Sequence, residues 1–265
     1  MRFLILLLVL LSVPVHARET VKIGGTGSGL ELMHQLGRLY ALQHPGLEIS
    51  VVPSLGSSGG IKAVQSGALD LAISARPVKP EEHGLETVAL CRTPLVFVVH
   101  PLTAASGVHS ADLVQLYGSL SFKWPEGGRA RVVLRPEGES DTKVLRSISP
   151  AMDQAMSQAR KRSGMIMAVT DQDNLKLLQN TPAGFGLAPL AMLNAEKAKL
   201  RVITYNGVEP SLSNLESGHY PLVREYYLIA RSPADKQVQG LVTFARSSKA
   251  VAFLKGMQCI PIKQR

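Results

Sequence analysis

VVPSLGSSGGIKAVQSG, residues 51–67, decides how this chain is read. An apolar pair runs into a Gly/Ser cluster, and a helix-like segment follows at once. Such a cluster is either slack linker or a turn that presents backbone N–H groups to something negatively charged. The flanking pattern favours the turn. Residues 47–53 read as a strand, residues 61–66 continue a helix, and residues 70–74 read as the next strand.

The same alternation extends in both directions. Toward the N-terminus, residues 21–24 read as a strand and Thr26-Gly27-Ser28-Gly29 as a turn. Leu32, Met33, Leu36, Leu39 and Tyr40 then fall on one helical face until His44-Pro45-Gly46 ends it. Downstream, LVFVV at 95–99 is a fully apolar strand that leaves the first lobe at His100-Pro101. The middle third repeats the logic, with a helix over 111–117, a turn at 124–128 and a strand at 132–134. The loop RPEGESDT follows at 135–142, and a helix starts from Lys143. Residues 226–230 read as a strand returning to the first lobe, and 234–255 as two helices. Strand–turn–helix–strand alternation predicts an α/β protein with parallel sheets covered by helices. No internal repeat or low-complexity tract interrupts it.

Composition narrows the function. Arg2 followed by an apolar run to Val15, then Val15-His16-Ala17, reads as a secretory signal peptide cut after Ala17, with a retained anchor as the alternative. Periplasmic export is therefore expected. The 265 residues suffice for two lobes of about 100–150 residues each. A net charge of +9 admits nucleic acid, but no Lys/Arg run is interleaved with aromatics, so no nucleic-acid partner is expected. A small anion drawn by the overall field fits as well. Cys91 and Cys259 lie too far apart for a CxxC or zinc pattern, and sequence leaves open whether they form a disulfide or stay as two buried thiols.

Three segments share one arrangement, a strand, then Gly with Ser or Thr, then a helix: 26–29, 56–60 and 138–142. Helix N-termini carry unpaired N–H groups and a partial positive charge that suit an oxyanion. Glycine lets the backbone approach closely, and hydroxyls add directed donors. Taken singly, each Ser or Thr is an ordinary N-cap. Three together, with Arg135 beside one of them to grip an oxyanion bidentately, argue for an anion cradle. Lys62 lacks the glycine framework of a nucleotide P-loop. The histidines form no HExxH pair, so neither an enzyme nor a cofactor is expected. Asp70 and Asp171 read as capping or pairing carboxylates.

GSSGGIKAVQSGALDLAISARPVKPEE (56–82) resembles the second anion loop and following strand of PstS-type phosphate-binding proteins, the periplasmic receptors of ABC transporters. YGS with KWPEGG, VVLRPEGESDT, TPAGFGLAPLAML and YNGVEPSLSNLESGHYPLVREYYL continue the resemblance in order over nearly the whole mature chain. It implies a two-lobed type II binding-protein fold with the ligand in the interlobe cleft. The lobes divide as 18–97 with 226–265 (lobe I) and 98–225 (lobe II). By the same resemblance Ser57, Arg135, Ser140 and Thr142 are ligand contacts. Ser28 matches the hydroxyl of the first loop, with Thr26 the alternative and Gly29 in the same loop. The family acceptor for a protonated phosphate falls at Ala75, followed by Arg76. Asp141, or less readily Glu139, is expected to replace it, with Arg76 adding charge. The implied partners are inorganic phosphate or a similar oxyanion, and an ABC permease or a sensor-kinase ectodomain. The receptor itself is expected to be monomeric.

Overall fold

A computed structural model describes residues 19–263; the expected signal peptide lies outside the described residues. The first units are β1 (Glu19–Gly25), α1 (Gly27–Ala41), β2 (Leu47–Val51), α2 (Gly56–Gln65), β3 (Leu71–Ser74) and β4 (Leu85–Val99). The middle of the chain forms β5 (Gly107–Val108), α3 (Ser110–Gly118), β6 (Arg131–Leu134), α4 (Ser140–Ser147), α5 (Pro150–Lys161), β7 (Ile166–Met167), α6 (Asp171–Asn180), β8 (Gly184–Pro189) and α7 (Leu190–Ala195). The last third forms β9 (Arg201–Val202), β10 (Thr204–Tyr205), α8 (Leu212–Glu216), β11 (Val223–Arg231), α9 (Lys236–Phe244), α10 (Ser248–Gly256) and β12 (Ile260–Pro261).

The predicted α/β class holds, and the sheet is mixed. Its strand order is β2-β1-β3-β11-β4-β8-β6-β7, with β12 and β9 also on β4. One wing is parallel (β2, β1, β3) and so is the other (β8, β6, β7). Antiparallel β11 and β4 join them. β4 is longer than its apolar stretch predicted because residues 85–94 pair with β11 before Leu95–Val99 pair with β8. The apolar run itself is explained by burial on both faces. Leu95, Phe97 and Val99 enter one core with Phe185 and Trp124, while Val96 and Val98 enter another with Ala188 and Leu178. A strand covered on both sides has no solvent face to alternate toward.

On the other wing, Leu32, Met33, Leu36 and Tyr40 are the buried stripe of α1, packed on Ile23, Leu71 and Ile73. Burying each such side chain contributes about 1.5–3 kcal/mol. Gly25 adopts φ +122°, and a Cβ there would lie 2.0 Å from the Ile73 carbonyl oxygen. Only glycine can turn the chain from β1 into α1 at that distance.

The Gly/Ser cluster is itself the first turns of α2, and α1 and α4 likewise begin at Gly27 and Ser140 rather than after a loop. Propensity counts Gly and Ser against a helix, but close approach outweighs it here. At Gly60 a Cβ would come within 2.6 Å of Gly25 Cα, so α2 packs onto the end of β1 only because no side chain intervenes.

Cys91 and Cys259 form a disulfide, with Cα atoms 5.6 Å apart and 168 positions between them in sequence. It ties β4 to the segment joining α10 and β12. Closing so long a loop restricts the unfolded chain, and reduction is expected to cost about 2–5 kcal/mol. Urea unfolding with and without reductant checks this; coincident midpoints would contradict it. Among the described residues no helix is long and apolar enough to cross a membrane.

Candidate anion site

The residues picked out from sequence lie at the starts of α1, α2 and α4, with the buried Arg135 between β6 and α4. α1 starts where β1 ends, and Thr26 precedes it in extended conformation without capping it through its side chain. Thr26 and Ser28 are both buried, with their hydroxyl oxygens 3.3 Å apart. The Ser28 N–H donates to Asp171 Oδ2 at 2.8 Å, and the Tyr226 hydroxyl donates to the Ser28 carbonyl at 2.9 Å. The Gly29 N–H is taken up by the Thr26 carbonyl at 3.1 Å.

Arg135 leaves the end of β6 and is 6% exposed. Its Nη1 donates to the Ala168 carbonyl at 2.9 Å and its Nη2 to Asp171 Oδ1 at 3.0 Å. Glu139 Oε2 lies 3.5 Å from the same Nη2, and Arg135 Nε has no hydrogen-bond partner among the described residues. Asp171 opens α6, which Thr170 and Asp173 cap reciprocally. Burial raises the Asp171 carboxyl above the usual carboxylate range; Arg135, the Ser28 N–H and the Thr26 hydroxyl oppose that rise. Burial likewise raises the Glu139 carboxyl, against the pull of Arg135.

At α4, Arg224 donates through Nη1 to Ser140 Oγ and through Nη2 to Asp141 Oδ1. Both members of that ion pair are about 95% buried. Thr142 Oγ1 donates to the Pro136 carbonyl at 3.0 Å and the Arg135 carbonyl at 3.3 Å. Arg135, Asp141 and Thr142 line one small internal cavity.

At α2, Ser57 Oγ accepts the Ala75 N–H at 2.9 Å. Arg76 grips Glu82 with both Nη atoms, at 2.8 and 2.7 Å, and reaches Ser58 Oγ at 3.1 Å. That hydrogen-bonded pairing holds the Glu82 carboxyl at about 2, from an ordinary 4.5. A depressed carboxyl stabilises the fold above its unfolded value and loses that contribution as pH falls through the folded one. The stability gap between wild type and Glu82→Gln should therefore shrink as pH drops from about 4.5 to 2. Acid unfolding curves that keep a constant gap would contradict this.

The structure thus brings Thr26, Ser28 and Arg135 onto one carboxylate, and sets Ser140, Asp141 and Thr142 at the neighbouring helix start. Ser57 and Arg76 stand together at α2, on separate partners. A surface hollow of about 850 Å³ lies apart from these groups, among Glu31, Gln35, Arg38, Leu42, Lys197 and Phe253. Among the described residues no His/Cys/Asp/Glu cluster could hold a metal.

Of two further residues central to this arrangement, Arg224 was not picked out from sequence, and Asp171 was read as a capping or pairing carboxylate, which its ion pair with Arg135 matches. Arg224 shares the inward face of β11 with Tyr226 and Leu228, and that two-residue period was the available signal. An arginine on an apolar strand face needs a buried partner. Asp171 carried no comparable signal, since it looks like any acidic residue in a first helical turn.

Comparison with known proteins agrees with this architecture. The model of the PBP superfamily domain matches residues 14–249. The chain is similar to protein SphX of Synechococcus elongatus, at 23% identity over 253 residues, 86% of this chain and 73% of that one. It is also similar to phosphate-binding protein PstS 2 of Streptococcus pneumoniae, at 29% identity over 110 residues, which span 41% of this chain and 38% of that protein. A Clostridium perfringens protein, provisionally assigned as a phosphate ABC transporter substrate-binding protein and solved with bound phosphate, shares the fold. Its TM-score is 0.78 at 17% identity, covering 92% of this chain and 100% of that one.

Proposed function

Because this chain belongs to the PBP superfamily, we propose that it is an exported solute-binding protein that captures inorganic phosphate between two lobes for an ABC transporter. Residues 18–97 and 226–265 form lobe I and residues 98–225 lobe II. It works in the periplasm as a monomer after cleavage behind Ala17, and it hands its ligand to a membrane permease. It makes and breaks no bond.

One observation carries this reading. The Arg135 guanidinium and the first turn of α1 converge, inside the protein, on a single pair of carboxylate oxygens. Groups so arranged bind a compact oxyanion through charge-assisted hydrogen bonds. The names and the bound phosphate of the similar proteins support phosphate as that oxyanion. Donors and acceptors matched in a water-poor cleft set the preference, since a buried polar group left unpaired costs about 1–3 kcal/mol. Hinge closure of the lobes on the ligand presents the loaded form to the permease.

Calorimetric titration of ligand-stripped protein with phosphate, arsenate, sulfate and molybdate tests this. Phosphate is expected to bind with micromolar or tighter affinity. Absence of phosphate binding at millimolar concentration overturns the reading.

A further inference from the structure

We infer that the Asp171 carboxylate is an internal ligand, seated where an oxyanion would bind on Arg135 and the start of α1, and that the captured oxyanion displaces it. This rests on the function proposed above and adds a residue that sets affinity from within the protein.

The partners of Asp171 are those an oxyanion would seek. One oxygen receives the Ser28 main-chain N–H at 2.8 Å, at the positive end of a 15-residue helix. The other receives the Arg135 guanidinium at 3.0 Å, and the Thr26 hydroxyl nearby favours the charged form of the carboxyl. A carboxylate so placed satisfies the same orphan donors that would otherwise await a ligand. Arg135 keeps an unpartnered Nε beside it, so the guanidinium can take a further acceptor.

The contact also joins parts of the chain that are 143 positions apart. α1 belongs to the core around Ile23 and Leu71, whereas Leu175 and Leu178 place α6 in the core around Val96 and Val98. Gln172 reinforces the clamp by donating to the Gly27 carbonyl at 2.9 Å. A Cβ on Gly27 would lie 2.6 Å from Gln172 Oε1 and 2.9 Å from Asp171 Oδ2. A side chain at position 27 would therefore have to push these two side-chain ends aside. Two anions cannot share these donors, because like charges at such range repel strongly in a dry site. Release of Asp171 to water relieves the burial that its charge opposes, which makes exchange feasible.

The test is calorimetric titration of wild type, Asp171→Asn and Asp171→Ala with phosphate and sulfate, alongside hydrogen exchange of the ligand-free proteins. Asn keeps the size and one acceptor of Asp and guards against a folding defect, which thermal melting by circular dichroism would reveal in the Ala variant. Both variants are expected to bind phosphate at least tenfold more tightly than wild type. In the Ala variant, peptides covering 26–30 and 168–174 should exchange faster. Phosphate binding in wild type that weakens in both variants would make Asp171 a direct ligand contact and overturn the inference while leaving the function standing. No binding of either anion by any of the three proteins would overturn the function, and the inference with it.

Discussion

Arg135→Ala is expected to weaken phosphate binding by at least about a hundredfold. Hydrogen bonds to a charged group contribute about 1.5–3 kcal/mol each, and a hundredfold loss corresponds to about 2.7 kcal/mol. Arg135 is the buried cation of the proposed site, held in place by the Ala168 carbonyl and by Asp171. Arg135→Lys retains the charge but loses the planar fork, so its affinity should fall between the two. The alanine variant also leaves Asp171 buried without its counter-ion. The double variant Arg135→Ala/Asp171→Asn separates the two effects. It should recover stability and only part of the affinity, because neutralising Asp171 removes the stranded charge and the competing anion without restoring the donor. Calorimetric titration beside thermal melting reads both quantities. Wild-type affinity in Arg135→Ala would remove this residue from the site.

Arg224→Met should be the most destabilising change in the site. Arg224 is 4% exposed and Asp141 3% exposed, and the arginine also donates to Ser140 at the start of α4. Removing one member of a buried ion pair costs about 3–5 kcal/mol, because the remaining charge cannot reach water. Replacing both members is milder, so Arg224→Met/Asp141→Asn should regain most of the loss. Urea unfolding of the four proteins in the cycle measures the coupling. Single and double variants of equal stability would show that the pair does not act as a unit. The same pairing bears on ligand selection. Asp141 was expected to replace the acceptor missing at Ala75, and the Arg224 guanidinium holds one oxygen of that carboxylate.

Local pattern explains why so much of the fold was legible. The apolar stripe of α1 and the continuous apolar run at 95–99 each report the burial of one element, and periodicity is a property of one element. The glycine-flanked helix starts at 27, 56 and 140 could be located to within a few residues for the same reason. Boundaries slipped where tertiary contact overrode propensity. The Gly/Ser cluster is helical because α2 must approach Gly25, and β4 extends back to Leu85 because β11 lies beside it.

The sequence by itself determined an α/β chain with three helix N-termini and an arginine suited to an anion, because those features depend on neighbours within a few positions. Tertiary structure alone decided which charges meet. Asp171 reaches Ser28 across 143 positions, Arg224 reaches Asp141 across 83, and Cys91 bonds Cys259 across 168. The physical reason is that an acidic residue in a first helical turn reads the same whether it faces water or another helix. Only packing the α6 start against the α1 start turns Asp171 from an ordinary first-turn carboxylate into the buried partner of Ser28 and Arg135.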